Sequence, residues 1–171
     1  MATELRDRLQ PALLDRLCDD HRHDAGAADE HRIMSKQQLR AAVLRDLSWL
    51  LNAVQPLPRS AQQHTQIAAS VVNFGLPPMA GQVASRIDVS VLERHIRDAI
   101  LRFEPRILAD SLQVRAIEVD STLASHNVIE FDIRGTLWAQ PVPLELLLRT
   151  QLDLEGGQVE IRDASGNAAR R

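Results

Sequence analysis

Glu130 and Asp132 lie two residues apart in a stretch that alternates Ile129, Phe131 and Ile133 with Glu130, Asp132 and Arg134. A period of two describes a strand with one wet face, so both carboxylates share that face, roughly 7 Å apart along the backbone. Two carboxyl groups at that order of separation are what glycoside hydrolysis uses, one protonated as the acid and one ionised. Hydrolysis also needs a cleft that makes the two environments differ. Here the pair projects from an ordinary alternating strand, where solvent-side charges account for it without chemistry.

Asp20, His21, His23, Asp24 and His31 carry metal-capable groups, but their spacing matches no ligand set that fixes zinc geometry. Cys18 stands near His21 and His23, yet a catalytic thiol needs its base on a rigid element, and this stretch reads as a solvated linker. An apolar contact is the plainer role for the thiol. The chain has no nucleophile elbow, no glycine-rich phosphate loop and no redox pair. No metal and no cofactor is expected.

A third group of residues breaks a local rule. An apolar helical stripe of Leu92, Ile96, Ala99, Ile100 and Phe103 runs into Glu104-Pro105-Arg106-Ile107. Pro105 disfavours the α conformation at Glu104, so the helix ends there and leaves a carboxylate beside its free carbonyls. That placement is unfavourable unless a cation compensates, and Arg106 is two residues on. Either the two residues staple the turn within the chain, or they are held for another molecule.

The elements that must position these groups fall into two kinds. Leu5, Leu9, Leu13, Leu14 and Leu17 form a short amphipathic arm interrupted by Pro11, followed by a polar linker over residues 19–32. The arm buries its stripe on its own domain or in a partner's groove. Ser35 with Gln38 makes a capping box before Leu39, Val43, Leu47, Leu50, Leu51 and Val54, a helix that Pro56 and Pro58 end. Trp49 falls within it, where packing in or beside the core is the default. A second helical segment runs from about 62 to 72, and Gly75 with Pro77 and Pro78 then fixes a sharp turn. The third helix reads as starting at Ser90, with Glu93 three residues on. After residue 111 the period changes from 3.6 to 2: strands are expected at 112–119, 128–137 and 144–154, and Gly156-Gly157 leads into a last strand at 158–162.

Helices first and strands last argue for an α+β fold, a mainly antiparallel sheet with helices packed on one face, plus the N-terminal amphipathic arm. The expected division is 1–34 for arm and linker, 35–163 for the domain and 164–171 for a frayed tail. With 171 residues and 44% apolar content the chain can build one core, burying roughly 70% of its unfolded surface. A formal charge of −3 offers no basic field, so no nucleic-acid partner is expected. One cysteine, no apolar run long enough for a signal peptide and none of membrane-spanning length lead to the expectation of a soluble cytoplasmic protein with no membrane insertion.

The stretches Leu13-Leu14-Asp15-Arg16-Leu17, Val43-Leu44-Arg45-Asp46-Leu47-Ser48-Trp49-Leu50-Leu51-Asn52, Ser70-Val71-Val72-Asn73-Phe74-Gly75-Leu76-Pro77 and Phe103-Glu104-Pro105-Arg106-Ile107 occur in this order. Together they resemble the TssE family of type VI secretion baseplate subunits, relatives of the tailed-phage baseplate wedge proteins once labelled lysozyme-like. Phe74 stands where that family often has tyrosine, and Pro78 where an acidic residue is frequent. The resemblance implies a structural, non-enzymatic subunit that joins the baseplate wedge to the sheath and helps start sheath polymerisation. Its partners would be other wedge subunits and the sheath protein, with no small-molecule substrate.

By the same resemblance, Glu104, Pro105 and Arg106 would contact the wedge core, with Pro105 holding both charged side chains outward. Leu13, Leu14 and Leu17 would dock the arm on a partner, and a strand edge marked by Leu152 and Val159 would accept sheath strands. The runner-up, from the family's old label and from Glu130 and Asp132, is a peptidoglycan-cleaving muramidase.

Overall fold

The computed structural model describes residues 13–17, 34–56, 63–78, 88–117, 128–139 and 142–164. Cys18, the linker histidines and aspartates, and the tail from 165 onward lie outside the described residues. The elements run α1 (Leu13–Leu17), α2 (Lys36–Asn52), α3 (Thr65–Ala69), α4 (Val89–Phe103), β1 (Gln113–Ile117), β2 (Val128–Leu137), β3 (Leu144–Asp153) and β4 (Val159–Asp163).

The four strands form one antiparallel sheet in the order β1-β2-β3-β4, so each strand pairs with its neighbour in sequence. In β2 the alternation resolves as expected: Phe131, Ile133 and Leu137 are buried, while Arg134 is exposed. Register sets Phe131 opposite Thr150 and Ile133 opposite Leu148, so one sheet face is lined by apolar side chains from every strand. α2 contributes Leu39, Val43, Leu47, Leu50 and Leu51 to the same core, and α4 contributes Leu92, Ile96, Ala99 and Ile100. The opposite face keeps its charges paired in solvent, with Asp132 near Arg149 and Glu160 near Arg162. The molecule is therefore α+β with the helices on one side of the sheet.

Ser35 accepts from the Gln38 N–H while the Gln38 side chain accepts from the Ser35 N–H, which completes the expected capping box. Three other expectations need correction. The cap of α4 is Asp88, whose carboxylate accepts from the N–H groups of Ser90 and Val91, so the helix starts earlier than the Ser90-Glu93 spacing suggests. The segment expected as one helix over 62–72 is broken at Ser70, whose extended backbone separates α3 from a 3-10 turn at Val71–Asn73. Ile67, Val71 and Val72 are consequently exposed, because neither piece is long enough to lay a stripe on the core. Trp49 is 52% exposed, and it carries the Arg45 guanidinium over its ring at 5.2 Å.

Gly75 has φ of 119°, and a Cβ there would lie 2.3 Å from the Ala53 carbonyl oxygen. Only glycine fits, since Leu76 N–H donates to that same oxygen and Gln55 N–H donates back to Leu76 O. This clasp joins the end of α2 to the turn before α4. Phe74 then meets Phe103 edge-on at 5.3 Å, which seats the C-terminal end of α4.

Candidate functional site

α4 ends at Glu104, whose N–H donates to Ile100 O and whose own carbonyl accepts from Ile107 N–H at 3.2 Å. The four residues make a β-turn with Pro105 in the second position, where its fixed φ is favoured. The turn is then fastened to the end of β2: Trp138 N–H donates to Arg106 O at 2.7 Å, and Leu108 N–H to Thr136 O at 2.9 Å. Ile107 packs over Gly135, where an added Cβ would come within 3.1 Å. Backbone and core thus fix the direction of Arg106 without help from its charge.

The charge arrangement differs from the expectation that Pro105 holds both side chains outward. Glu104 is only 3% exposed and is turned inward. Its Oε1 accepts from Arg106 Nε at 2.6 Å and from Arg106 N–H at 3.2 Å, while Oε2 accepts from Nη2 at 2.5 Å. A buried carboxylate unpaired in this position would cost several kcal/mol, so the two-pronged pairing is what permits it at a helix end. Pro105 serves to bring Arg106 back over Glu104.

Arg106 also donates from Nη2 to Asp46 Oδ2 on α2 at 2.6 Å. The other Asp46 oxygen accepts from Arg45 Nε at 2.9 Å, and Arg45 Nη1 donates to Asp15 Oδ1 on α1 at 2.6 Å. Five groups thereby alternate in sign from Glu104 through Arg106, Asp46 and Arg45 to Asp15, with one more anion than cations. Burial pulls the Arg106 guanidinium toward deprotonation, but hydrogen bonds and charge from Glu104 and then Asp46 outweigh it and leave the pKa raised. Arg45 is raised too, chiefly through its hydrogen bond to Asp15. Asp15 Oδ2 and Arg45 Nη2 are buried without a hydrogen-bond partner among the described residues, although Nη2 lies 2.8 Å from Asp46 Oδ1.

Of the arm leucines, Leu14 and Leu17 are exposed, and the side chain of Leu13 lies outside the described residues. α1 is tied to α2 by Asp15. Leu152 requires a correction, because β3 lies between β2 and β4 and the side chain is 1% exposed, so it offers no edge. Val159 does lie on the outermost strand, with its side chain turned into the core. Glu130 and Asp132 stand on the wet sheet face, where Gln151 Nε2 donates to Glu130 at 2.7 Å and Arg149 Nε to Asp132 at 3.2 Å. Among the described residues no three His, Cys, Asp or Glu side chains form a group that could hold a metal ion. No helix among them is long and apolar enough to cross a membrane.

Sequence reasoning missed Asp46 and Trp138. Asp46 was legible only as a polar residue between core positions of α2, and nothing local connects it to a turn 60 residues later. Trp138 follows Leu137 on the outward side of the alternation and is 51% exposed, a signal that the pattern did contain.

The family model for baseplate wedge protein gp25 matches residues 37–142. The chain belongs to that baseplate wedge family. The matched span runs from the first turn of α2 past the end of β2 to just before β3, and so includes Asp46, Glu104, Pro105, Arg106 and Trp138. A baseplate structural role follows from membership. None of the curated proteins and none of the solved structures compared with the chain matches it. Within this wedge family member, β3 and β4 fall beyond the matched span, and so does Val159.

Proposed function

We propose that this chain is a cytoplasmic baseplate subunit of a type VI secretion or related contractile injection system, linking the wedge to the sheath and helping to start sheath polymerisation. The observation that carries the reading is the Glu104-Pro105-Arg106 turn. It is fastened by backbone hydrogen bonds to β2 and presents a guanidinium that is paired with Glu104 and Asp46, on a side chain that is 24% exposed. Beside it in the chain's backbone pairing stands the half-exposed Trp138, and across Asp46 and Arg45 stands the half-exposed Trp49. Tryptophan and arginine held rigidly at a surface are the residue types on which protein interfaces concentrate their energy.

On this reading Arg106, seated by Glu104 and Pro105, meets the wedge core, while Leu14 and Leu17 of the arm add an apolar contact beside it. The outermost strand β4 faces the sheath and accepts an added strand by backbone hydrogen bonding. The test is complementation: cells lacking the chain should form no extended sheaths, and the wild-type chain should restore them. Sheaths of normal number and length in its absence would overturn the reading. Turnover of purified cell-wall glycan, lost on Glu130→Gln, would favour the muramidase instead.

A further inference from the structure

Among the described residues, one backbone position on each edge of the sheet is capped by a side chain from a helix. At the β4 edge, Asn52 at the end of α2 accepts from Val159 N–H through Oδ1 at 2.9 Å and donates from Nδ2 to Val159 O at 2.9 Å. Val159 pairs with Leu152 at a position where its own N–H and C=O point away from β3, as the bond from Asp153 N–H to Gln158 O one residue earlier requires. The Asn52 carboxamide therefore makes the same two hydrogen bonds that a residue of an added strand would make. At the β1 edge, Glu93 of α4 accepts from Ala116 N–H at 2.6 Å.

We propose that Asn52 is a displaceable plug that closes the β4 edge to stray strands and yields it to the right one. The proposal rests on the strand-addition reading above. The two edges differ in chemistry. Displacing Glu93 would strip a charge-assisted hydrogen bond from a partly buried carboxylate, which bars β1 to an incoming strand. Displacing Asn52 exchanges two neutral hydrogen bonds for two of the same kind, and the exposed amide returns to water while Nδ2 keeps its bond to Ser48 O at 2.8 Å. The next outward-facing pair on β4 belongs to Ile161, so a partner strand that seats there gains two bonds first and then takes Val159 from Asn52. A passing copy of this chain has its own β4 edge plugged in the same way, so pairing two copies must displace two carboxamides where an unplugged strand displaces one. On the strand-addition reading the occupant is an extended strand of the sheath subunit.

The experiment uses the full chain as wild type, Asn52→Ala, and Asn52→Ala combined with Ile161→Pro, which removes an outward-facing donor but no β3–β4 ladder bond. Sedimentation reads self-association, hydrogen exchange reads the Val159 amide, and purified sheath protein is the binding probe. Asn52→Ala should self-associate at concentrations where the wild type is monomeric, lose protection at Val159 when diluted to monomer, and capture sheath protein about fivefold faster, the factor one net hydrogen bond gives. The double variant should return to monomer, which separates edge pairing from unfolding. A monomeric Asn52→Ala chain with an unchanged capture rate would overturn the plug while leaving strand addition standing. A wild-type chain that never captures sheath protein would overturn strand addition, and the self-association arm would still decide the plug.

Discussion

Arg106 and Asp46, 60 residues apart in the chain, meet at 2.6 Å between Nη2 and Oδ2. That single bond joins the turn after α4 to the middle of α2, and it carries the charge of Glu104 outward to Arg45 and the arm. The pair is partly exposed on both sides, which places it where a partner could read it.

Glu104 and Arg106 should be strongly coupled in stability. Glu104→Ala leaves the guanidinium with Asp46 alone, and Arg106→Ala leaves a carboxylate whose side chain is 4% exposed without a cation. Each single change should cost about 3 kcal/mol in urea unfolding, and the double change distinctly less than the sum, because it removes both charges. Additive losses would show that the two groups do not act as a pair.

Gly75→Ala should be among the most damaging single-methyl additions in the domain. The new Cβ would sit 2.3 Å from Ala53 O at a φ of 119°, so strain and clash add. A loss of about 3 kcal/mol in thermal or urea unfolding is expected, against a change within about 0.5 kcal/mol for an ordinary exposed site.

Proline substitutions should separate the two strands of the C-terminal hairpin. Leu152→Pro takes a donor from the ladder between β2 and β3 and a buried side chain from the core, and it should unfold the domain. Val159→Pro takes only the N–H that Asn52 accepts, together with some packing, and should cost about 1–2 kcal/mol. Circular dichroism with a urea titration distinguishes the outcomes.

Asp88 gives a defined pH effect. The Ser90 hydroxyl and N–H hold its carboxylate below the ordinary range, so the ionised cap favours the folded state. That contribution is fully present above the unfolded value of about 4 and fades as pH falls through the lower folded value. Asp88→Asn keeps the cap without the titration, so the stability difference between the two chains should hold steady from neutral pH to about 5 and change only in stronger acid.

Much of this architecture was legible because it depends on neighbours in sequence. The alternation over 128–137 gave β2 to the residue, Ser35 with Gln38 gave the start of α2, and Pro105 gave the end of α4. The awkward carboxylate at Glu104 pointed to the right turn, but its direction did not follow, since inward seating depends on the two-pronged bond from Arg106 and on the fastening of the turn to β2, which no local pattern shows. Leu152 and Val159 looked equivalent in the hairpin, and only strand order makes one interior and the other outermost. Asn52 ended one of the stretches behind the family resemblance, but nothing local pointed to the sheet edge, because a helix-terminal asparagine has many uses and its partner lies 107 residues away.

If the turn carrying Arg106 is the wedge contact of a baseplate subunit, as proposed, removing its charged pair breaks that contact. Co-purification of other wedge subunits with the wild-type chain and with the Glu104→Ala, Arg106→Ala double variant, both verified as folded by circular dichroism, tests it most directly. The wild type should retain wedge subunits and the folded double variant should lose them. Equal retention by both would contradict it.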